Sequence, residues 1–173
     1  MSFIYITGVS GTGKTTIYNE LKNRGFEAYD VDEDGLARWQ NKITGYIHPK
    51  SSVKEHQRTQ EFLDTYSWII PREYMEELAK KAKNKNVYLC GVFSNERDLS
   101  DLFDKVIALN IDRETLIHRL RTRTNNNFGK SEHELAHVIE WHKGVNKYYK
   151  EAGYIIIDSN RPLKQIIEKI LSN

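Results

Sequence analysis

Short apolar runs alternate with longer stretches of helical periodicity along this chain. Five runs read as strands: Phe3 to Ile6, Glu27 to Val31, Val87 to Cys90, Val106 to Leu109 and Tyr154 to Ile157. Their near-continuous apolar character is what inner strands of a parallel sheet, covered on both faces, require. Helical spacing of apolar residues predicts helices over Thr15 to Arg24, Val53 to Asp64, Pro71 to Lys83, Arg113 to Thr122, Glu132 to Lys150 and Pro162 to Leu171. Pro71 and Pro162 suit first-turn positions, and Ser131 with Glu134 makes a capping box. Gly25 and Gly153 stand where helices should stop. Alternation of this kind predicts a three-layer α/β domain with a five-stranded parallel sheet and helices on both faces. Two polar stretches interrupt it. Lys42 to Ser52 is expected to be an irregular excursion, and Thr124 to Lys130 another.

Composition narrows the class without changing the fold. A chain of 173 residues is one domain's worth, and 29% charged residues beside 39% hydrophobic ones fit neither a disordered tail nor a coiled coil. Lys and Arg total 26 against 24 Asp and Glu, so the formal charge of +2 argues against a surface built to coat nucleic acid. The single cysteine, Cys90, excludes an internal disulfide framework and is expected to be a buried small hydrophobe. No apolar run approaches the roughly 18 residues of a membrane span. Met1 to Ile6 lacks a basic leader and already reads as strand, so the expectation is a cytoplasmic protein without a membrane partner.

One motif carries strong chemistry. Gly8-Val9-Ser10-Gly11-Thr12-Gly13-Lys14-Thr15 matches G-x-x-x-x-G-K-[ST] in full, after an apolar strand and at the opening of a helix. Backbone N–H groups and the helix terminus then converge on an anion, and the glycines let the backbone come close to it. Lys14 is placed to reach β- and γ-phosphates, and Thr15 to offer its hydroxyl to Mg²⁺. Gly8, Ser10, Gly11, Thr12, Gly13, Lys14, Thr15 and the adjoining Thr16 are therefore the candidate nucleotide-binding residues for ATP or GTP, with ATP and Mg²⁺ the expected cofactors.

The motif leaves the outcome of nucleotide binding open, and three other segments bear on it. The second strand ends in Asp30-Val31-Asp32-Glu33-Asp34-Gly35, on the side where an open parallel sheet meets its ligands. Asp32 and Asp34 are candidates to orient or deprotonate a hydroxyl, and Asp32 to hold Mg²⁺ through water. Asp34 could equally be a helix cap, and Asp30 reads as a flank of the strand. The third strand runs into Gly91-Val92-Phe93-Ser94-Asn95-Glu96 with no acidic residue directly after its apolar residues, which weakens a mechanical-ATPase reading. Gly91 would let a substrate approach, and Asn95 or Glu96 could contact it. Arg119 and Arg123 lie four apart and so share a helical face before the polar loop, which could close over the nucleotide and exclude water, with Lys130 at its end.

Taken in order, the phosphate motif, the Asp-x-Asp after strand two, the R-L-x-x-R helix and the loop after it resemble the small P-loop kinases of the nucleoside-monophosphate kinase and shikimate kinase group. The resemblance spans essentially the whole chain. It implies a P-loop NTPase fold as one domain over residues 1–173, with an acceptor-side insertion over about 36–70 and a lid over about 123–131. It further implies that Arg119 stacks on adenine, that Arg123 binds phosphate from the lid, and that Arg161 in Ser159-Asn160-Arg161-Pro162 borders the base. Catalytic roles then fall to Lys14, Asp32, Asp34 and Arg123. Arg38, Arg58 and Arg72 are all candidates for an acceptor contact, and Trp39, Trp68 and Trp141 for lining its pocket, Trp39 first among them.

The reading that follows is an ATP-dependent phosphotransferase acting on a small-molecule acceptor, as a monomer or homodimer. The acceptor is a nucleoside or nucleotide on one reading and a non-nucleotide hydroxyl compound such as shikimate on another. A regulatory nucleotide-binding ATPase is the alternative from a different class, and a nucleic-acid 5′-hydroxyl kinase would need a basic channel that the charge balance does not predict. His133-Glu134-Leu135-Ala136-His137 matches the zinc-protease pattern H-E-x-x-H, yet no distant third ligand is recognisable, and the segment reads as a helix start. Trp141, Tyr148 and Tyr149 at helical spacing read as packing.

Overall fold

The computed structural model describes residues 1–50, 53, 57, 59–124 and 128–173, the side chain of residue 133 excepted. The chain runs β1 (Phe3–Thr7), α1 (Lys14–Asn23), β2 (Glu27–Asp30), β3 (Arg38–Asn41), α2 (Gln60–Thr65), β4 (Tyr66–Ile69), α3 (Arg72–Ala82) and β5 (Val87–Cys90). A 3-10 segment (Arg97–Leu102) leads to β6 (Lys105–Asn110), α4 (Arg113–Thr122), α5 (Glu132–Glu151), β7 (Ile155–Asp158) and α6 (Leu163–Leu171). All five expected strands form, and they pair in parallel in the order β2-β5-β1-β6-β7. The motif strand β1 is central, so its C-terminal end opens onto the crevice flanked by β5 and β6.

Alternation in the buried strands divides the core. In β1, Ile4 and Ile6 face Ile17 and Leu21 of α1 and Ile166, Ile167 and Ile170 of α6. Phe3 and Tyr5 point the other way, onto Met75 and Leu78 of α3 and Leu99. A third cluster joins Val9 of the phosphate loop to Leu116 and Leu120 of α4 and Leu135, Val138, Val145 and Tyr149 of α5. The loop is thus seated on the core and not left on the surface. Cys90 is buried as expected, and burial pushes its thiol pKa up. No helix among the described residues is long and apolar enough to cross a membrane.

The segment between β2 and α3 differs from expectation. It contains a second, two-stranded antiparallel sheet, β3 with β4, with Trp39 opposite Trp68. The helix expected over Val53 to Asp64 is a short one, Gln60–Thr65, among the described residues. The strands are held by an aromatic cluster: Trp39 and Trp68 rings are 4.8 Å apart, Trp39 and Phe62 5.1 Å, and Phe62 stacks on Tyr66 at 4.4 Å. Cross-strand aromatic pairs of this kind stabilise a sheet by side-chain packing, which local periodicity does not register.

Candidate active site

The loop from Gly8 to Gly13 delivers the chain into α1 with Gly13 in a left-handed conformation and no side chain capping the helix. Its first-turn N–H groups are therefore available to an anion. Lys14 folds back in this state, its Nζ donating to the carbonyls of Gly8 (2.7 Å) and Val9 (3.1 Å). Burial pulls its pKa down to about 8, against the pull of Asp32 and Asp30 the other way. Gly11 has φ +94°, and a Cβ there would lie 2.9 Å from Leu116 Cδ1. That glycine is needed for docking on α4 as much as for phosphate access. A cavity of about 440 Å³ opens before the loop, lined by residues 10–17 with Asp32, Arg119, Arg123, Ser159 and Arg161.

The acidic cluster after β2 divides by role. Asp32 lines the cavity and accepts the indole N–H of Trp68 at 3.2 Å. Asp34 turns away: it accepts the Tyr18 hydroxyl at 3.2 Å and the Asp30 N–H at 2.8 Å, and it does not line the cavity. Asp30, passed over as a strand flank, is buried. Its Oδ1 accepts the N–H groups of Asp32 (2.9 Å) and Glu33 (3.1 Å), and its Oδ2 lies 3.4 Å from the Thr15 hydroxyl. It holds the loop that presents Asp32, a task that only the folded turn reveals.

The arginines divide likewise. Arg119 donates to Ser159 Oγ (3.1 Å) and to the Ser159 carbonyl (2.9 Å), while Ser159 Oγ donates to the Thr12 carbonyl at 2.5 Å. The R-L-x-x-R helix, the phosphate loop and the loop after β7 are thereby tied together at one wall. Arg123 donates to Ser10 Oγ at 3.2 Å and to the Phe128 carbonyl, and its buried Nε has no partner among the described residues. Arg161 pairs with Asp158 at 3.1 Å and lines the cavity rim. Lys130 is exposed and lines no part of it.

Of the arginines considered for the acceptor, Arg38 donates to the carbonyls of Gly35 and Ala37, both at 2.7 Å, and lies over the Tyr74 ring. Arg72 pairs with Asp101 at 2.8 Å. Both are spent on holding the fold, and Arg58 lies outside the described residues. Glu134 is also structural: it accepts the Ser131 hydroxyl and the Gly129 N–H, each at 3.0 Å, in the capping box that starts α5. His137 is exposed, and the side chain of His133 lies outside the described residues.

A second cavity, about 390 Å³, opens beside the first, lined by Thr7, Trp68, residues 92–94, Glu96, Arg97, Trp141, Val145, Tyr148 and Tyr149. The α5 aromatics set aside as packing form one wall of it. Trp39 is not among the lining residues; it packs behind Trp68 instead. Gly91 does not admit a ligand: a Cβ there would lie 2.3 Å from Val31 Cγ2, so this glycine lets β5 pack against the β2 loop. The Asn95 amide is used on both backbone groups of Ile70, at 3.0 Å each, whereas Glu96 faces the cavity. The signal that was available is the Tyr148–Tyr149 pair, two bulky polar-tipped rings adjacent on a helix, of which only one can face the core.

The family model described as an AAA domain matches residues 4–140. A shikimate kinase from Bacillus cereus (strain AH187) is 25% identical over 176 residues, covering 98% of this chain and 96% of that protein. A dephospho-CoA kinase from Fusobacterium nucleatum is 24% identical over 186 residues, covering 96% and 94%. Among solved structures, shikimate kinase from Bacteroides thetaiotaomicron matches with a TM-score of 0.62 at 19% identity, over 98% of this chain and 96% of that one, a likeness of fold.

Proposed function

The chain belongs to the AAA domain family and is a P-loop kinase that transfers phosphate from ATP to a small-molecule acceptor; we propose that the acceptor hydroxyl enters from the second cavity and meets the γ-phosphate beside Asp32. The observation that carries this reading is the contact between Asp32, which lines the nucleotide cavity, and Trp68, which lines the other. One carboxylate stands at the junction of two small-molecule cavities.

The residues at the first cavity suit a triphosphate. The uncapped start of α1 supplies N–H donors, Lys14 a cation, and Arg123 Nε, without a partner among the described residues, a further donor. Arg119 and Arg161 stand at the far wall, where the base would lie. For Mg²⁺, the Thr15 hydroxyl and Asp32, with Asp30 behind them, offer the sparse all-oxygen set of an ion that keeps several waters. When bound, that ion would neutralise charge on the phosphate oxygens.

In the transfer, the acceptor oxygen bonds to the γ-phosphorus as the bridging P–O bond breaks, and its electron pair leaves with ADP. The hydroxyl proton passes to Asp32 and on to water. Lys14 and Arg123 stabilise charge on the phosphoryl oxygens, and positioning supplies most of the catalysis. Lys14→Ala tests the cradle. It should lower turnover by about a hundredfold or more, in the range typical of a lost preorganised charge, with an unchanged circular dichroism spectrum. A folded variant that binds ATP as tightly as the wild type in calorimetric titration would overturn the assignment.

A further inference from the structure

The second cavity has a composition that speaks to what it holds. Aromatic side chains from three elements line it: Trp68, Phe93, Trp141, Tyr148 and Tyr149. Flat walls of this kind hold planar rings through area and offset stacking. Polar groups are set among them, and two bear most directly on a ligand. Tyr149 is only 2% exposed, and its hydroxyl, turned toward Thr7, makes no hydrogen bond of ordinary geometry among the described residues. A buried hydroxyl without a partner is costly, so its retention in a cavity wall points to a ligand that completes it.

Glu96 is the other group. Its Oε1 accepts the hydroxyls of Tyr148 (2.8 Å) and Tyr154 (3.4 Å), and its Oε2 that of Tyr5 (3.2 Å). A carboxylate has about four acceptor sites, so Oε2 keeps one for an incoming donor. The charge here disfavours an anionic acceptor. Among the described residues Arg97 is the one cation lining the cavity, and it lies 5.0 Å from the centre of the Tyr148 ring, in the field of Glu96. A carboxylate entering this space would meet the Glu96 charge, and the exposed Arg97 would have to leave the Tyr148 ring to offset it.

We propose that Glu96 and Tyr149 are specificity-determining residues of the acceptor site, and that the acceptor is a nucleoside: a flat heteroaromatic ring with a hydrogen-bond donor for Glu96, carrying the reacting hydroxyl on its sugar. This rests on the phosphotransfer reading above and adds the class of acceptor to it. The ring lies against the α5 wall, and the sugar extends past Trp68 toward Asp32.

The test uses the full chain with its cradle saturated by a non-hydrolysable ATP analogue, so that added nucleoside cannot occupy the ATP site. Adenosine, guanosine, cytidine, thymidine and shikimate are titrated while tryptophan fluorescence is read, since Trp68 and Trp141 both line the cavity. At least one nucleoside should saturate about tenfold or more below shikimate, the scale of one well-made hydrogen bond. Tyr149→Phe should weaken that nucleoside severalfold without lowering Tm, because the hydroxyl removed makes no hydrogen bond of ordinary geometry among the described residues. Glu96→Gln should raise its KM while ATP affinity stays within twofold.

Tighter binding of shikimate than of every nucleoside would overturn the proposal, as would no nucleoside saturating at all. Unchanged nucleoside affinity in both variants would overturn it too. Failure of the underlying reading looks different: a nucleoside binds as described, but no acceptor yields ADP and a phosphorylated product by mass.

Discussion

The two cavities are built from different materials. The first draws half its lining from one contiguous segment, Ser10 to Ile17, which offers backbone N–H donors at a helix terminus. The other is made of side chains from four places: Thr7 at the end of β1, Trp68 on β4, the residues after β5, and the aromatic face of α5. A cradle of backbone fixes its ligand class rigidly and tolerates little change. A wall of side chains can be recut by single substitutions without disturbing the sheet.

Asp32 is where the halves meet, so its loss should give the largest separation between binding and transfer. Asp32→Asn should lower kcat by about a hundredfold, the lower range for a positioned proton acceptor, with ATP affinity nearly unchanged. The Trp68 indole keeps an acceptor, because an asparagine oxygen can replace the carboxylate one. Asp34→Asn should remain within about twofold, since an amide oxygen serves helix-end and loop donors almost as well. Steady-state kinetics with the phosphorylated product followed by mass spectrometry decide it. Equal losses in the two variants would mean that the carboxylates act as a pair despite their separate partners.

The arginine wall should show a smaller and split effect. Arg123→Ala should lower kcat about tenfold while raising the ATP Kd much less, because a contact best made in the transferring state appears in kcat. Arg119→Ala should do the reverse, weakening nucleotide binding severalfold through loss of the Ser159 wall. If both variants stay within twofold of the wild type in both constants, neither arginine belongs to the nucleotide half.

The same contrast of materials explains what the sequence makes legible. The central strands β1 and β5 are runs of buried residues, and the phosphate loop is a fixed spacing, so both can be read locally. The β3–β4 pair cannot. Arg38-Trp39-Gln40-Asn41 holds one large apolar residue, and its partner strand lies beyond Gln60–Thr65. Only the pairing of Trp39 with Trp68 makes either segment a strand. Tyr148 and Tyr149 mislead for a related reason: helical spacing shows that an aromatic faces inward but not whether core or cavity lies there. Arg38 and Arg72 have the charge expected of an acceptor contact, yet nearby carbonyls and Asp101 claim them first. Charge is written in the sequence, whereas its local competition is a property of the fold.

The smallest effect expected is also specific to the backbone-built half. In the empty loop burial holds Lys14 at a pKa of about 8, well below the ordinary lysine value of 10.5. A lowered lysine pKa means that the unfolded chain binds more protons than the folded one between those two values. This residue's contribution to stability therefore rises with pH through that window in the empty protein. Phosphate oxygens reverse the balance, because they favour the charged ammonium. ATP binding should thus take up about half a proton at pH 8 and about a tenth at pH 7, and affinity should decline as pH rises above 8. Titration calorimetry in two buffers of different ionisation enthalpy measures the uptake directly. Lys14→Arg should abolish it, since a guanidinium keeps its proton throughout this range. If the wild type takes up no proton at pH 8, Lys14 is already charged in the empty loop, and its inward turn onto the Gly8 and Val9 carbonyls reflects hydrogen bonding without a desolvation cost.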